Sequence, residues 1–156
     1  MATALSSGRA RGSCGRRTDT AKKPRAKSYT GGCLCGAVRF RVTGVPFYVS
    51  HCHCGMCRKA SGAPVVTFAR FPLEGFAFTK GKPKEYASSR PNRRGFCAKC
   101  GGQIYFKAGR KPDSIGLNVG CFDKPEKLTP TSHIYVGTMI PWLHMRDGLP
   151  RHKDHG

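Results

Sequence analysis

The chain has 156 residues and a formal net charge of +20 at pH 7, enough length for one domain with a modest core. Its 20 glycines and 11 prolines make up about a fifth of the chain, above the average of about 12%, which favours a turn-rich β architecture. No apolar run approaches the ~18 residues of a membrane helix, and the start lacks the apolar stretch of a secretory signal. A membrane or exported protein is therefore not expected, and a cytoplasmic one is.

Residues 1–28 contain eight Lys/Arg and one acid, a charge of +7 that leaves +13 for the remainder. With almost no large apolar side chain they cannot bury enough surface to offset ordering, so they are expected to form a disordered basic tail. The same acid-poor, Ser/Arg-rich composition also suits an organellar transit peptide. Cys14, within it, is expected to be a free thiol. An ordered domain is expected over 29–150, with 151–156 as a short C-terminal tail.

Within the domain, alternation from Ala37 to Val42 puts Val38, Phe40 and Val42 on one face and Arg39 and Arg41 on the other, the mark of a half-buried strand. Phe47 to Val49 leads a second strand into a cysteine cluster, and Met56 to Ser61 suits a single helical turn before Gly62. Further strands are expected at Ala63 to Phe71, Phe76 to Thr79, Glu85 to Ser88, Gly102 to Lys107, Ile115 to Val119 and His133 to Val136. Turn signals every 8–12 residues and the lack of a long helical period give an all-β domain, single-layered or sandwich-like.

Seven of the nine cysteines fall in three clusters: Cys33 and Cys35, then Cys52, Cys54 and Cys57, then Cys97 and Cys100. In a non-secreted chain these spacings read as metal ligands before disulfides. The C-x-x-C turn Cys97-Ala98-Lys99-Cys100, closed by Gly101, brings two sulfurs to one metal. Cys33 and Cys35, flanked by Gly31, Gly32 and Gly36, supply two more, making a closed structural zinc site. Cys52, Cys54 and Cys57 remain, and three protein ligands with an open position is the pattern of catalytic zinc. Three thiolates leave such a centre anionic, better suited to holding a thiolate than to acidifying water. Arg58 and Lys59 would offset that charge and receive a substrate carboxylate, or simply form a solvated helix end. His51 and His53 alternate with the thiols and are expected to face away from the metal. Cys121 would close the second site if it folded onto it; an inert buried cysteine is the other outcome. Trp142 and His133 are candidates to line a pocket, with core packing the default for each.

These motifs in this order resemble the glutathione-dependent formaldehyde-activating enzyme family, which includes centromere protein V. The matching residues are Gly32-Cys33-Leu34-Cys35-Gly36-Ala37-Val38-Arg39-Phe40, Cys52-His53-Cys54, Cys57-Arg58-Lys59-Ala60-Ser61-Gly62, Phe96-Cys97, Cys100-Gly101, Pro141-Trp142 and Asp147-Gly148-Leu149-Pro150. The resemblance spans about residues 29 to 150. It implies a β-tent fold of small antiparallel sheets and two zinc ions per chain, one structural at Cys33, Cys35, Cys97 and Cys100, one catalytic at Cys52, Cys54 and Cys57. It also implies a carbon–sulfur lyase that adds glutathione to formaldehyde, giving S-hydroxymethylglutathione. The partners would be glutathione or a similar small thiol and a small carbonyl compound.

Two other classes fit the composition. A non-catalytic zinc module could bind nucleic acid or protein through its basic surface, with affinity falling steeply with salt. Its aromatic residues are not interleaved with the basic ones as a base-stacking platform needs, so specific nucleic-acid recognition is not expected. A purely structural protein with both zinc sites closed is the third class.

Overall fold

The computed structural model describes residues 27–155, so Cys14 and nearly all of the expected tail lie outside the described residues. The elements run β1 (Ser28–Gly32), β2 (Arg39–Thr43), β3 (Tyr48–Cys52), α1 (Gly55–Ser61), β4 (Val66–Pro72), β5 (Phe76–Lys80), β6 (Lys84–Ser89), β7 (Asn92–Phe96), β8 (Gln103–Lys107), β9 (Ser114–Asn118) and β10 (Ser132–Ile134). The domain is mainly β, as its composition implies. A three-stranded antiparallel sheet has the order β1-β2-β5, and a seven-stranded sheet has the order β10-β3-β4-β9-β8-β7-β6. The larger sheet is mixed rather than purely antiparallel, because β10 returns after a long connection to pair parallel with β3.

The core lies between the two sheets. Phe40, Val42, Phe71, Ile104, Ile115 and Leu117 are fully buried in it. Aromatic rings join the layers: Phe40 meets Phe122 edge to face at 5.2 Å between centroids, and Phe71 meets Tyr29 at a tilt at 5.5 Å.

Register gives the seven-stranded sheet two very different faces. Cross-strand partners Val49, Ala69, Leu117, Tyr105 and Gly95 form one continuous row over β3, β4, β9, β8 and β7. All but Gly95 belong to the core cluster. One residue back on each of β3, β9 and β7, and one on along β4 and β8, the opposite face carries the row Tyr48, Arg70, Gly116, Phe106 and Arg94. Since side chains alternate across a strand, the core row holds the sheet down and the second row floors a cleft.

The thiol loop leaves β3 at Cys52 and enters α1, whose single buried residue is Cys57. The helix ends at Gly62 with φ 69°, where the Gly62 N–H donates to the Arg58 carbonyl at 2.8 Å. Residues 150–154, expected to belong mostly to a tail, are tied to β10 and the turn after it. The His133 N–H donates to the Pro150 carbonyl at 2.8 Å, and the Tyr135 N–H to the Asp154 carbonyl at 2.9 Å.

Candidate functional site

The first cysteine set is built from two similar turns. After β1, the Gly36 N–H donates to the Cys33 carbonyl at 3.0 Å; after β7, the Gly101 N–H donates to the Cys97 carbonyl at 2.9 Å. Gly36 and Gly101 take φ of 69° and 72°, the left-handed conformation that lets each turn close. The turns bring Cys33, Cys35, Cys97 and Cys100 together with all four sulfurs within 4.8 Å of one another. Cys33 and Cys35 lie 3.6 Å apart, Cys35 and Cys97 3.8 Å. A tetrahedron of sulfurs at about 2.3 Å from zinc has edges of about 3.8 Å, so the four thiols fit that ion.

The environment moves three of these thiols in opposite directions. Burial opposes ionisation of Cys33, but the Val38 N–H, 3.3 Å from its sulfur, and the neighbouring thiols bring it down to about 6. The N–H groups of Cys35 and Gly102 hold Cys100 below the ordinary thiol range against burial. The Ala37 N–H pulls Cys35 down, yet sharing protons with the surrounding thiols takes it up to about 11.

Cys52, Cys54 and Cys57 line one end of a cleft of about 330 Å³ on the second face of the large sheet. Cys52 is the last residue of β3, Cys54 caps α1, and Cys57 lies in its first turn. Cys52 and Cys57 share a proton: Cys57 is brought down to about 6, first by the Cys52 thiol and then, against burial, by the Arg94 guanidinium. Cys52 is pushed far up by the same exchange and by burial. They are less tightly gathered than the first set, since among the described residues only the four-cysteine set has three or more ligand atoms all within 4.8 Å. The donor chemistry nonetheless suits zinc, with three adjacent thiols and a cation beside one of them.

Arg94 reaches the site from β7. Its Nη2 donates to Cys57 Sγ at 3.5 Å and its guanidinium lies 4.8 Å above the Phe106 ring centre. With its amide turned to satisfy both neighbours, Gln103 accepts from Arg94 Nη1 at 3.2 Å and donates to the Ala60 carbonyl at 3.2 Å. Arg70, from β4, also lines the cleft and donates through Nη1 to Ser114 Oγ at 2.7 Å. Arg94 and Arg70 are both buried, at 4% and 7% exposure. Arg90, Arg110 and Lys111 add three more cations, and among the described residues no acidic side chain lines the cleft.

Arg58 and Lys59, expected to receive a substrate carboxylate, do not line this cleft. The Arg58 guanidinium donates to the Thr138 carbonyl, bracing α1 against the turn after β10, and Lys59 lies exposed near the end of the helix. Of the cations that line the cleft, Arg94 meets Cys57 directly, and both Arg94 and Arg70 come from strands distant in the sequence. A cation inside an otherwise apolar strand, such as Arg70 between Ala69 and Phe71, was the one available signal.

His51 and His53 do not line the cleft either. His51 Nδ1 is 2.9 Å from Thr67 Oγ1. Fully buried His53 and His133 meet at 2.9 Å, Nε2 to Nδ1, and His133 Nε2 lies 2.9 Å from the Asp147 carboxylate. Burial and the neighbouring imidazole of His133 bring His53 down to about 4, so it is neutral. This chain of three side chains holds the thiol loop from behind. His133 is therefore core rather than pocket lining, and Trp142 is 66% exposed. Cys121 donates its thiol to the Gln103 carbonyl at 3.2 Å. Burial, with Cys33 and Cys100 as charged neighbours, raises it to about 11. It sits on the side of the first cysteine set and does not line the cleft of the second.

Tyr135 stands beside Cys52, Cys54 and Cys57 in the cleft wall with φ 57°, the only non-glycine at positive φ among the described residues. Burial and the three thiols raise its phenol. A bulky residue held in this conformation marks a place where the surroundings dictate the backbone.

A family model described as glutathione-dependent formaldehyde-activating enzyme matches residues 28–138. An uncharacterized lyase of Schizosaccharomyces pombe is 30% identical over 108 residues, covering 69% of this chain and 78% of that protein. A Halomonas elongata protein, provisionally named a glutathione-dependent formaldehyde-activating enzyme, is 29% identical over 124 residues, covering 74% of this chain and 79% of its own. A crystal structure of a Rhodobacter sphaeroides protein superposes with a TM-score of 0.51 at 21% identity, covering 79% of this chain and 98% of that one. That likeness is one of fold.

Proposed function

The chain belongs to the glutathione-dependent formaldehyde-activating enzyme family, and from this premise we propose that it is a zinc-dependent carbon–sulfur lyase. It joins glutathione or a related small thiol to formaldehyde or another small carbonyl compound in the cleft at Cys52, Cys54 and Cys57. The observation that carries this reading is the position of those three thiols at one end of a cleft whose charged lining side chains, besides the thiols and His155, are all cations. We read the fold as the β-tent of the family, with one structural zinc at Cys33, Cys35, Cys97 and Cys100 and a second zinc at the cleft.

Zinc held by Cys52, Cys54 and Cys57 would supply the positive charge that favours a substrate thiol in its ionised form. The chain's own groups do the rest. Arg94 offsets the charge of Cys57, the cationic wall draws in an anionic thiol, and Phe68 and Phe106 present apolar surface that excludes water. In the reaction the substrate sulfur attacks the carbonyl carbon, a C–S bond forms and the carbonyl π pair moves to oxygen. The oxygen takes up the proton that the thiol gave up, so addition is balanced with no redox step. Tyr135, a residue of the cleft wall whose hydroxyl lies 3.5 Å from His155 Nδ1, is the proposed donor to that oxygen.

A non-catalytic module binding nucleic acid through its surface charge is less well supported, because these cations converge within a cleft at the thiols. A cytoplasmic location remains the proposal made from the sequence. No described helix is long and apolar enough to cross a membrane.

The test is exchange spectroscopy by NMR on glutathione and carbon-13 formaldehyde at equilibrium with their adduct. Catalytic amounts of the protein are expected to accelerate interconversion, and Cys54→Ser to abolish the acceleration while the fold persists. Full acceleration by Cys54→Ser would sink the proposal.

A further inference from the structure

The floor of the cleft holds two polar groups that the proposed chemistry leaves unused. Ser50 is fully buried, lines the cleft, and its Oγ has no hydrogen-bond partner among the described residues. Arg70 is 7% exposed and its hydrogen-bond partner is the neutral Ser114 hydroxyl. An unsatisfied hydroxyl and a guanidinium without a facing carboxylate are both costly to bury. Both costs are offset when an anion enters the cleft, since Ser50 can donate one hydrogen bond and Arg70 a charge-assisted one.

We propose, resting on the thiol-handling reading above, that Ser50 and Arg70 form an anion subsite that selects a thiol partner carrying a phosphate or a second acid group, and no ammonium, at its far end. Ser50 is two residues before Cys52 on the same strand face, and Arg70 pairs with Tyr48, four residues before it. At about 3.3 Å per residue the subsite therefore lies about 7 to 13 Å along the strand from the thiols, an extended ligand's length away. Arg90, Arg110 and Lys111 line the same cleft, and extend the positive field to its rim. An ammonium on the ligand would meet cations and find no carboxylate among the described residues lining the cleft. Glutathione carries such an ammonium; a phosphorylated thiol does not. Gly116 lies between Arg70 and Phe106 in the floor row of the cleft.

The experiment is calorimetric titration of the full zinc-loaded chain with two ligand pairs. The first is S-methylpantetheine with and without its 4′-phosphate, and the second S-methylglutathione with and without its amino group. Loss of the ammonium or gain of the phosphate is expected to tighten binding about tenfold or more, as one charge-assisted hydrogen bond allows. The pair that shows the preference identifies the anion. Ser50→Ala, which removes only the unpartnered hydroxyl and is expected to fold normally, should lose part of the preference, and Arg70→Gln most of it. Equal affinities within both pairs, or a preference that survives both substitutions, overturns the subsite. The methylated probes cannot serve as the reacting thiol, so this outcome is independent of the exchange assay that tests the lyase.

Discussion

Arg94 and Cys57, 37 residues apart in the chain, meet at 3.5 Å between Nη2 and Sγ beside the floor of the cleft. The contact joins β7 to α1 and places a buried cation against the thiol loop. Its consequence is electrostatic: with the Cys52 thiol and Arg94 beside it, Cys57 ionises at about 6 rather than in the ordinary thiol range.

Arg94→Met keeps a long apolar side chain and removes the charge, together with the guanidinium over Phe106. In protein stripped of metal at this site, the midpoint of Cys57 alkylation with pH should move upward, because thiolate is the reacting form. Mass-spectrometric rates from about pH 5 to 9 measure it, and an unmoved midpoint would mean that Arg94 does not act on Cys57.

Metal affinity at the four-cysteine set should rise with pH. Around pH 7 Cys33, at about 6, is already ionised, whereas Cys35, at about 11, still holds its proton. A metal must displace at least that proton, so affinity gains at least about tenfold per pH unit in this window and is lost in the same proportion on acidification. Competition with a chromophoric chelator at several pH values between about 6.5 and 8.5 measures the slope; a flat profile contradicts the proton sharing described here.

Cys97→Ser removes one sulfur from the set that ties the turn after β1 to the turn after β7. The expected loss of stability exceeds about 4 kcal/mol, the range typical of losing a structural metal, with one fewer metal ion per chain by atomic absorption. Thermal unfolding with and without chelator is the check: a chelator should destabilise the unsubstituted protein and leave this variant almost unaffected.

Asp147→Ala leaves the buried His133 Nε2 without its acceptor, and His133 in turn positions His53 between two site cysteines. The cost is expected at about 1–3 kcal/mol in urea denaturation. A change under about 0.5 kcal/mol would show that the relay does not hold the loop.

Arg58→Ala and Lys59→Ala should change the affinity for an anionic ligand by less than about twofold, since neither lines the cleft and exposed charges act weakly across screened distances. A tenfold loss by either would restore them to the site.

Much of the site was legible because its signals are local. The turns Cys33–Gly36 and Cys97–Gly101 need only close spacing and a glycine at positive φ, and both show in a few consecutive residues. Alternation located β2, whose Phe40 and Val42 are fully buried. Two strands lacked such a signal. β1, Ser-Tyr-Thr-Gly-Gly, lacks an apolar alternation because its Gly31 lies directly against the Cys121 carbonyl and the Phe40 ring. β7, Asn-Arg-Arg-Gly-Phe, looks like a solvated loop because its buried arginine serves the cleft.

By itself, the sequence determined the mainly β character, the grouping of Cys33, Cys35, Cys97 and Cys100, and the placement of Cys52, Cys54 and Cys57 on one loop. These follow from spacing, and spacing survives in one dimension. Only the tertiary structure decided which cations face the thiols, which way Cys121 lies, and that His53 leans on His133 and Asp147. Arg58 and Lys59 are adjacent to Cys57 in the chain, yet helix geometry turns them out of the cleft. Arg70 and Arg94 are distant, yet strand register sets them in one row across the sheet. Charge alone said that the chain is basic; pairing between strands far apart in sequence decided that Arg70 and Arg94 share one cleft with the thiols.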